Sequence, residues 1–423
     1  MDLNLTTTSS YPILTLPAEI TAEIFSHYVG KRHNIRRRAA GPLLLASVCK
    51  SWWEICFSTC SIWASVVIAL SEGERWDEDL QLLVQVWLSR AGSHPLDIFV
   101  DAPRGSLSGM LSFLSRYSSQ WRSLGFTFHS SSSVLDDLIP GHIPSLTSLE
   151  ISGAPTTFGW EAQAVLLNAF AAAPSLRQLW LSHTSLESIR LPWIQLTHLN
   201  ASGSLRECLK ILNETQNLEV LDIAIESLGF AESSSLNVTL PHLRIFGCSD
   251  GSEGNLLDHL TLPALRTIKL SSLESQGVSR FLTLGVRSAW SLRSIRLATM
   301  EYEEAILCLR SFPSLEEIDV EIWQSTDQLT PLAELLTNDN EFLPVLRSIT
   351  IRAGGASTEP SASVLAEMLA FRWHGNRVVR LRSFHVYFFH LSSLRMTASI
   401  FEDLKTRVLV LVEEGLEVMI SIR

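Results

Sequence analysis

The side chains able to carry covalent or metal chemistry occur in this chain, but not at working spacings. There are twelve histidines and six cysteines among 423 residues. His27, His33 and His94 form no helical pair, and no His-Glu-x-x-His or Cys-x-x-Cys spacing is present to build a zinc site. Cys56 and Cys60 stand four apart without a nearby histidine as a third ligand, which favours core packing. No Gly-x-x-x-x-Gly-Lys loop is there to cradle phosphate. Gly105-Ser-Leu-Ser-Gly109 puts Leu107 where a nucleophile elbow needs serine. Glu72, Glu74, Asp77, Glu78 and Asp79 read as a solvated turn before a helix, whose dipole favours negative charge there. Ser130 to Ser133 read as a loop. The expectation is a chain with no catalytic residue, no cofactor and no metal, whose work is binding.

Composition narrows the partners. The formal net charge of -11 argues against a nucleic-acid surface, which needs a concentrated basic patch. The one basic cluster, Lys31, Arg32, Arg36, Arg37 and Arg38, lies between Gly30 and Gly41-Pro42 and reads as a solvated loop. Cys49, Cys56, Cys60, Cys208, Cys248 and Cys308 are scattered, several of them in apolar runs. Free thiols in a reducing compartment fit that pattern. No basic segment precedes an apolar core at the N-terminus, and no window reaches the roughly 20 apolar residues of a membrane span. The sequons at Asn4, Asn213 and Asn237 are then incidental, and the expected location is the cytosol or nucleus, with no membrane partner.

Two kinds of element must position any binding surface. The first is a short helical unit near the N-terminus, after residues 1–12, which read as a disordered lead. Pro17 suits a first helical turn, Thr15 is a candidate cap, and Glu19 and Glu23 lie near the positive end of the dipole. Ile20 and Ile24 share a face, and the helix should end near Val29-Gly30. A second helical stretch begins after Pro42. One of its stripes is Leu44, Val48, Trp52 and Ile55, and another is Leu45, Cys49, Trp53 and Cys56. A helix apolar on two faces is normally covered on both. So small a unit cannot supply that cover itself. The cover must come from the rest of the chain or from a second protein.

Leu16-Pro17-x-Glu19-Ile20-x-x-x-Ile24-Phe25, then Leu45-x-x-Val48-Cys49-Lys50-x-Trp52, then Ile62-Trp63 resemble an F-box over residues 13–65. With Ser58-Thr-Cys60-Ser-Ile62-Trp63 ahead of repeats, the chain is similar to the large F-box families of mushroom-forming fungi. The resemblance implies a three-helix unit that docks on Skp1, the linker to the cullin of a ubiquitin ligase. It makes Leu16, Pro17, Ile20, Ile24, Leu44, Leu45, Val48, Cys49 and Trp52 the docking candidates. The basic insertion between the first two helices departs from the pattern. The bland alternative is that these residues only cap the array that follows.

The second element is repetitive. The phrase Leu-x-x-Leu-x-Leu, often two residues after a proline, recurs from Leu146, Leu176, Leu218, Leu265, Leu292, Leu315 and Leu346. Weaker copies start at Trp121, Leu196, Leu243 and Leu381, and Trp63 opens a possible first one. Eleven copies between Trp121 and Leu381 have a mean spacing of about 26 residues, inside the leucine-rich-repeat range of roughly 20–29. The copies look like leucine-rich repeats. The Leu-x-Leu ending is a short strand, and helices are expected over Trp160–Ala172, Leu205–Leu212, Gly277–Val286, Glu301–Leu309 and Val364–Phe371. The fold class expected for residues 66–423 is an irregular α/β solenoid with parallel strands, closed by a helix at Phe401–Val412 and a strand at Leu416–Ile422. The asparagine of the regular repeat is replaced by Ala154, Thr184, Ser204, Glu226 and Gly251 in successive copies.

Counting four residues on from the first Leu gives an outward row that contains Glu150, Trp180, Asn200, Asp222, Gly247, Lys269, Arg296, Asp319, Thr350 and His385. Two residues on, the row includes His198 and Glu317. An outward tryptophan on a strand is a frequent binding residue. Trp180, His198, Lys269 and Arg296 are therefore candidates to hold a protein target. The alternative is a solvated strand face with Trp180 covered by a loop. Three functions stay open at this point: a ligase adaptor, an interaction scaffold outside any ligase, and an unrecognised enzyme on the array.

Overall fold

The computed structural model describes residues 12–30, 34–36, 41–71, 73–102, 107–128, 142–153, 170–182, 186, 190–225, 235–250, 256–271, 275–298, 302–323, 329–354, 361–389 and 394–422. Outside them lie the lead 1–11, Lys31, Arg32, Arg37 and Arg38, Ser130 to Ser133, and residues 160–169 of the expected Trp160–Ala172 helix. Phe170 to Ala172 form a turn. Four of the five asparagine-replacing positions, Ala154, Thr184, Glu226 and Gly251, also lie outside.

The described chain is mixed α/β and divides into two compact units, Met1–Leu196 and Thr197–Arg423. The first opens with helices α1 (Ala18–Val29), α2 (Pro42–Ala46) and α3 (Lys50–Ser58). Strand β1 (Ser65–Ala69), helix α4 (Glu78–Ala91), β2 (Leu96–Ala102), α5 (Leu107–Leu114), β3 (Trp121–Phe128), β4 (Ser148–Gly153) and β5 (Gln178–Ser182) follow. These five strands pair in chain order, all parallel.

The second unit repeats the plan. Its early elements are β6 (His198–Gly203), α6 (Leu205–Glu214), β7 (Val220–Ile225), β8 (Val238–Thr239), β9 (Ile245–Asp250), α7 (Leu256–His259), β10 (Leu260–Thr261) and β11 (Thr267–Ser271). Then come α8 (Ser275–Ser288), β12 (Ser294–Ala298), α9 (Tyr302–Arg310), β13 (Glu317–Trp323), α10 (Leu329–Asn338) and β14 (Ser348–Gly354). Helix α11 (Ala362–His374), β15 (Ser383–Phe389), α12 (Leu394–Glu413) and β16 (Glu417–Ile422) close it. The main sheet runs β6-β7-β9-β11-β12-β13-β14-β15-β16, with every neighbour parallel; β8 and β10 form a separate parallel pair.

Every copy of the leucine phrase is a strand, and the reason is visible in burial. Leu176, Leu179 and Leu181 are all buried, as are Leu218, Leu221 and Ile223, and Leu292, Ile295 and Leu297. The first Leu fills the core under the turn, and the later two are the inward alternation of the strand. Neighbouring copies are tied by a backbone ladder just before each strand. Thr147 O accepts from the N–H groups of Arg177 and Gln178, at 2.9 and 3.0 Å, and Arg266 O accepts from Arg293 and Ser294 in the same way, at 2.9 and 3.0 Å.

Two serines of the recurrent Pro-Ser-Leu also tie copies together: Ser175 Oγ donates to Pro144 O at 2.7 Å and Ser314 Oγ to Leu292 O at 2.8 Å. Ser204, at the asparagine position, instead caps α6 in a box closed by Glu207. Arg287 forks onto Leu260 O at 2.8 Å and Leu257 O at 2.6 Å. Arg372, fully buried on α11, donates to Leu336 O, Leu343 O and Phe342 O at 2.9, 2.8 and 2.8 Å. Burial pulls the Arg372 guanidinium down to about 10, against an opposing pull from Asp339.

Several expectations need correction. The stretch after Pro42 is two helices, not one, because Ser47 and Val48 turn and Cys49 is extended at the start of α3. Its two stripes are therefore not continuous. Thr15 belongs to a short 3-10 turn, and the residue at the α1 cap position is Pro17. The basic segment is not simply a solvated loop at residues 34–36. Asn34 bridges to Val67 of β1, Ile35 is buried, and Arg36 pairs with Glu74. That short bridge covers part of an otherwise open edge strand. The Ser71 N–H, donated to Glu74 at 2.7 Å, and then the Arg36 charge hold the Glu74 carboxyl below its ordinary range.

Candidate functional site

The three N-terminal helices have two apolar faces with opposite fates. On α1, Thr21, Phe25 and Val29 are buried. Phe25 meets Trp52 edge-on, ring centres 4.9 Å apart. Trp63 is fully buried, its indole donates to Cys56 O at 2.8 Å, and its ring packs at 4.8 Å on Trp87 of α4. Arg90 of α4 lies 4.6 Å over both Phe57 and Trp63. The remainder of the first unit thus covers one side.

The other side is open. Ile20, Ile24 and Tyr28 repeat every four residues, one position behind the buried set, so they form an adjacent stripe. They are 51%, 42% and 56% exposed, and Val48 is 58% exposed. Ile13, Leu14, Leu16 and Trp53 are also exposed. Eight large apolar side chains in water among the described residues of the first 53 are far more than scattered exposure requires.

The docking candidates divide accordingly. Leu16, Pro17, Ile20, Ile24 and Val48 are exposed; Leu44, Cys49 and Trp52 are half-buried. Leu45 is 6% exposed and belongs to the core. Trp52 is committed to Phe25, and its buried indole nitrogen has no acceptor among the described residues. Ile13, Leu14, Tyr28 and Trp53, the last placed by the sequence only in an apolar stripe, are also exposed without being among the docking candidates. Tyr28 could have been found by extending the Ile20–Ile24 spacing one more turn.

The outward strand row is realised residue for residue in the second unit. Asn200, Asp222, Gly247, Lys269, Arg296, Asp319, Thr350 and His385 are register partners across eight adjacent strands. In the first unit Glu150 stands beside Trp180. Trp180 is half-buried, so it is not a fully exposed ring. His198 is half-buried and bonded to Thr197 through Nδ1 at 3.0 Å. It lies on β6, separated from Lys269 on β11 by two strands.

Lys269 is exposed and its neighbour Arg296 is not free: Arg296 Nε meets Asp319 at 3.7 Å. Asp319 also takes Arg352, whose guanidinium lies 5.8 Å over the Tyr387 ring. The Asp319 hydrogen bond raises the Arg352 guanidinium above its ordinary value. Arg296, Asp319 and Arg352 thus brace β12, β13 and β14. Asp222 leans over Gly247, where a Cβ would meet its carboxyl carbon at 3.0 Å. Of the three target candidates in the second unit, Lys269 and Arg296 are therefore side by side, while His198 stands apart from them.

Among the described residues no group of three His, Cys, Asp or Glu is placed to hold a metal ion, and no helix is long and apolar enough to cross a membrane. No protein-family model matches the chain, and no curated protein matches it.

Proposed function

We propose that the chain is a non-catalytic adaptor of a cullin-type ubiquitin ligase. Its F-box-like helices dock Skp1, and its leucine-rich-repeat array holds a protein target. The observation that carries this reading is the exposed Ile20–Ile24–Tyr28 stripe with Val48, on a unit whose opposite face is already packed on α4. Capping the array and docking a partner are served by different faces, so neither role excludes the other. An adaptor accelerates modification by raising the local concentration of target beside the charged enzyme, which needs no catalytic residue on this chain. The setting is the cytosol or nucleus.

Co-purification of the full chain with Skp1 tests the reading. A stable complex lost on Ile20→Asp supports it. A folded chain that captures no Skp1 leaves an interaction scaffold outside any ligase.

A further inference from the structure

One cavity of the second unit is built from the row of residues that follows each first Leu. It has a volume of about 470 Å³ and is lined by Glu219, His242, Arg244 and Arg266 among others. That size admits one or two side chains of a partner. Arg244 and Arg266 sit at adjacent strand starts, locked together because Arg266 N–H donates to Arg244 O at 3.0 Å. Their backbones are fixed, and among the described residues their guanidinium groups make no hydrogen bond or ion pair. Both residues are exposed, and neither has a carboxylate partner among the described residues.

The same row shows the contrast. Arg293 meets Glu316 at 3.3 Å, Arg347 meets Glu316 at 3.5 Å, and Arg122 in the first unit meets Asp97. At those positions the row pairs its arginines with an acidic neighbour. Arg244 has Glu219 at the equivalent neighbouring position, yet neither it nor Arg266 forms an ion pair among the described residues, and a cavity opens there. Two adjacent guanidinium forks are suited to carboxylate oxygens. The chain as a whole is at -11, so its general field repels anions, and any anion held here is held by local groups.

We infer that this cavity binds an acidic, Asp- or Glu-bearing peptide segment of a protein target, with carboxylates on Arg244 and Arg266. Glu219 closes one side of the cavity and its carboxylate has no cation partner among the described residues. It imposes polarity: the peptide presents a neutral or cationic side chain toward Glu219 and its acids toward β11. This mode reuses arginine recognition of acidic motifs. The inference rests on the array being the target-binding part of the proposed adaptor, and its test reads peptide binding separately from Skp1 capture.

The test is fluorescence anisotropy of the full chain with labelled peptides of the sequence Ala-Lys-Ala-Glu-Ala-Glu-Ala, its Gln-for-Glu counterpart and a phosphoserine-for-Glu counterpart. The Glu peptide should bind at least tenfold more tightly than the Gln peptide, and R244Q with R266Q should remove that difference. Arg382, an exposed arginine of the same row outside the cavity, is the control: R382Q should leave the affinity unchanged. Thermal melts and Skp1 capture establish that each variant is folded. Glu and Gln peptides of equal affinity would overturn the inference, and so would an equal loss in R382Q. A phosphoserine peptide bound in strong preference to Glu would replace the carboxylate assignment.

Discussion

Replacing Ile20 and Ile24 by aspartate separates docking from folding. The two side chains are 51% and 42% exposed, so folding has already buried about half of each. Full burial of such a side chain is worth roughly 1.5–3 kcal/mol. Covering the remainder on docking is then worth about 1 kcal/mol each, or about 2 for the pair. The substitution removes that gain and asks the interface to dehydrate two carboxylates, a further cost of at least a few kcal/mol. A loss of about 4 kcal/mol is close to a thousandfold in Kd.

The folded chain should be affected far less. Position 20 lies in the first turn of α1, where the helix dipole favours an acid, and aspartate at position 24 costs roughly 0.5 kcal/mol in helix propensity. The assay is calorimetric titration of Skp1 into the purified variant, beside a urea melt of the free chain. A Kd within threefold of wild type, with an unchanged melt, would refute the reasoning. Trp52 is unsuited to this experiment, because its contact with Phe25 mixes docking with folding.

Further outcomes follow from burial and charge. Burial lifts the Cys56 thiol to about 11 and, with the Glu304 charge as a lesser cause, Cys308 to about 12, so at pH 8 iodoacetamide should leave both untouched until the chain unfolds. Half-buried Cys49 should be alkylated in the free chain and protected once Skp1 is bound, which peptide mass spectrometry reads directly. Leu179→Asp places an unpaired carboxylate at a fully buried strand position and should unfold its repeats, seen as lost circular dichroism and rapid proteolysis. Arg372→Met orphans three carbonyls and should lower stability by about 3–5 kcal/mol in a urea melt.

The Asp339 carboxyl is held below its ordinary range. Burial opposes the shift, but Arg310 at 2.9 Å and the N–H groups of Glu341 and Phe342 outweigh it. A depressed carboxyl stabilises above its unfolded pKa and loses that contribution as pH falls through its folded one. Asp339→Asn should therefore weaken the chain at neutral pH and leave it little changed in strong acid, as compared by urea midpoints.

The strands were legible because the leucine phrase spells out both the inward alternation and the residue under the turn. Strand β2 carries the alternation Leu96, Ile98, Val100 and Ala102, all buried, but lacks a leucine three positions earlier, so the phrase does not find it. Helix α10 was missed although Leu329, Leu332, Ala333 and Leu336 are its buried stripe. The break between α2 and α3 carries no Gly or Pro; it shows only in the backbone at Ser47 to Cys49.

At the proposed docking surface, the four-residue spacing of Ile20 and Ile24 was enough to pair them. No local pattern could say that Leu45 faces inward while Leu44 is left half open. On the strand face, counting gave the row but not its pairing. Arg296 and Arg352 reach Asp319 from strands 23 and 33 residues away, and long side chains leaning across register positions leave no trace in spacing.

Hydroxyl-radical footprinting of the chain alone and mixed with Skp1 tests the central claim most directly. The account predicts that Ile20, Ile24, Tyr28 and Val48 are labelled in the free chain and shielded in the complex, while the exposed Leu409 and Val410 of α12 are labelled equally in both. Labelling of the N-terminal stripe that does not change with Skp1 present would contradict it.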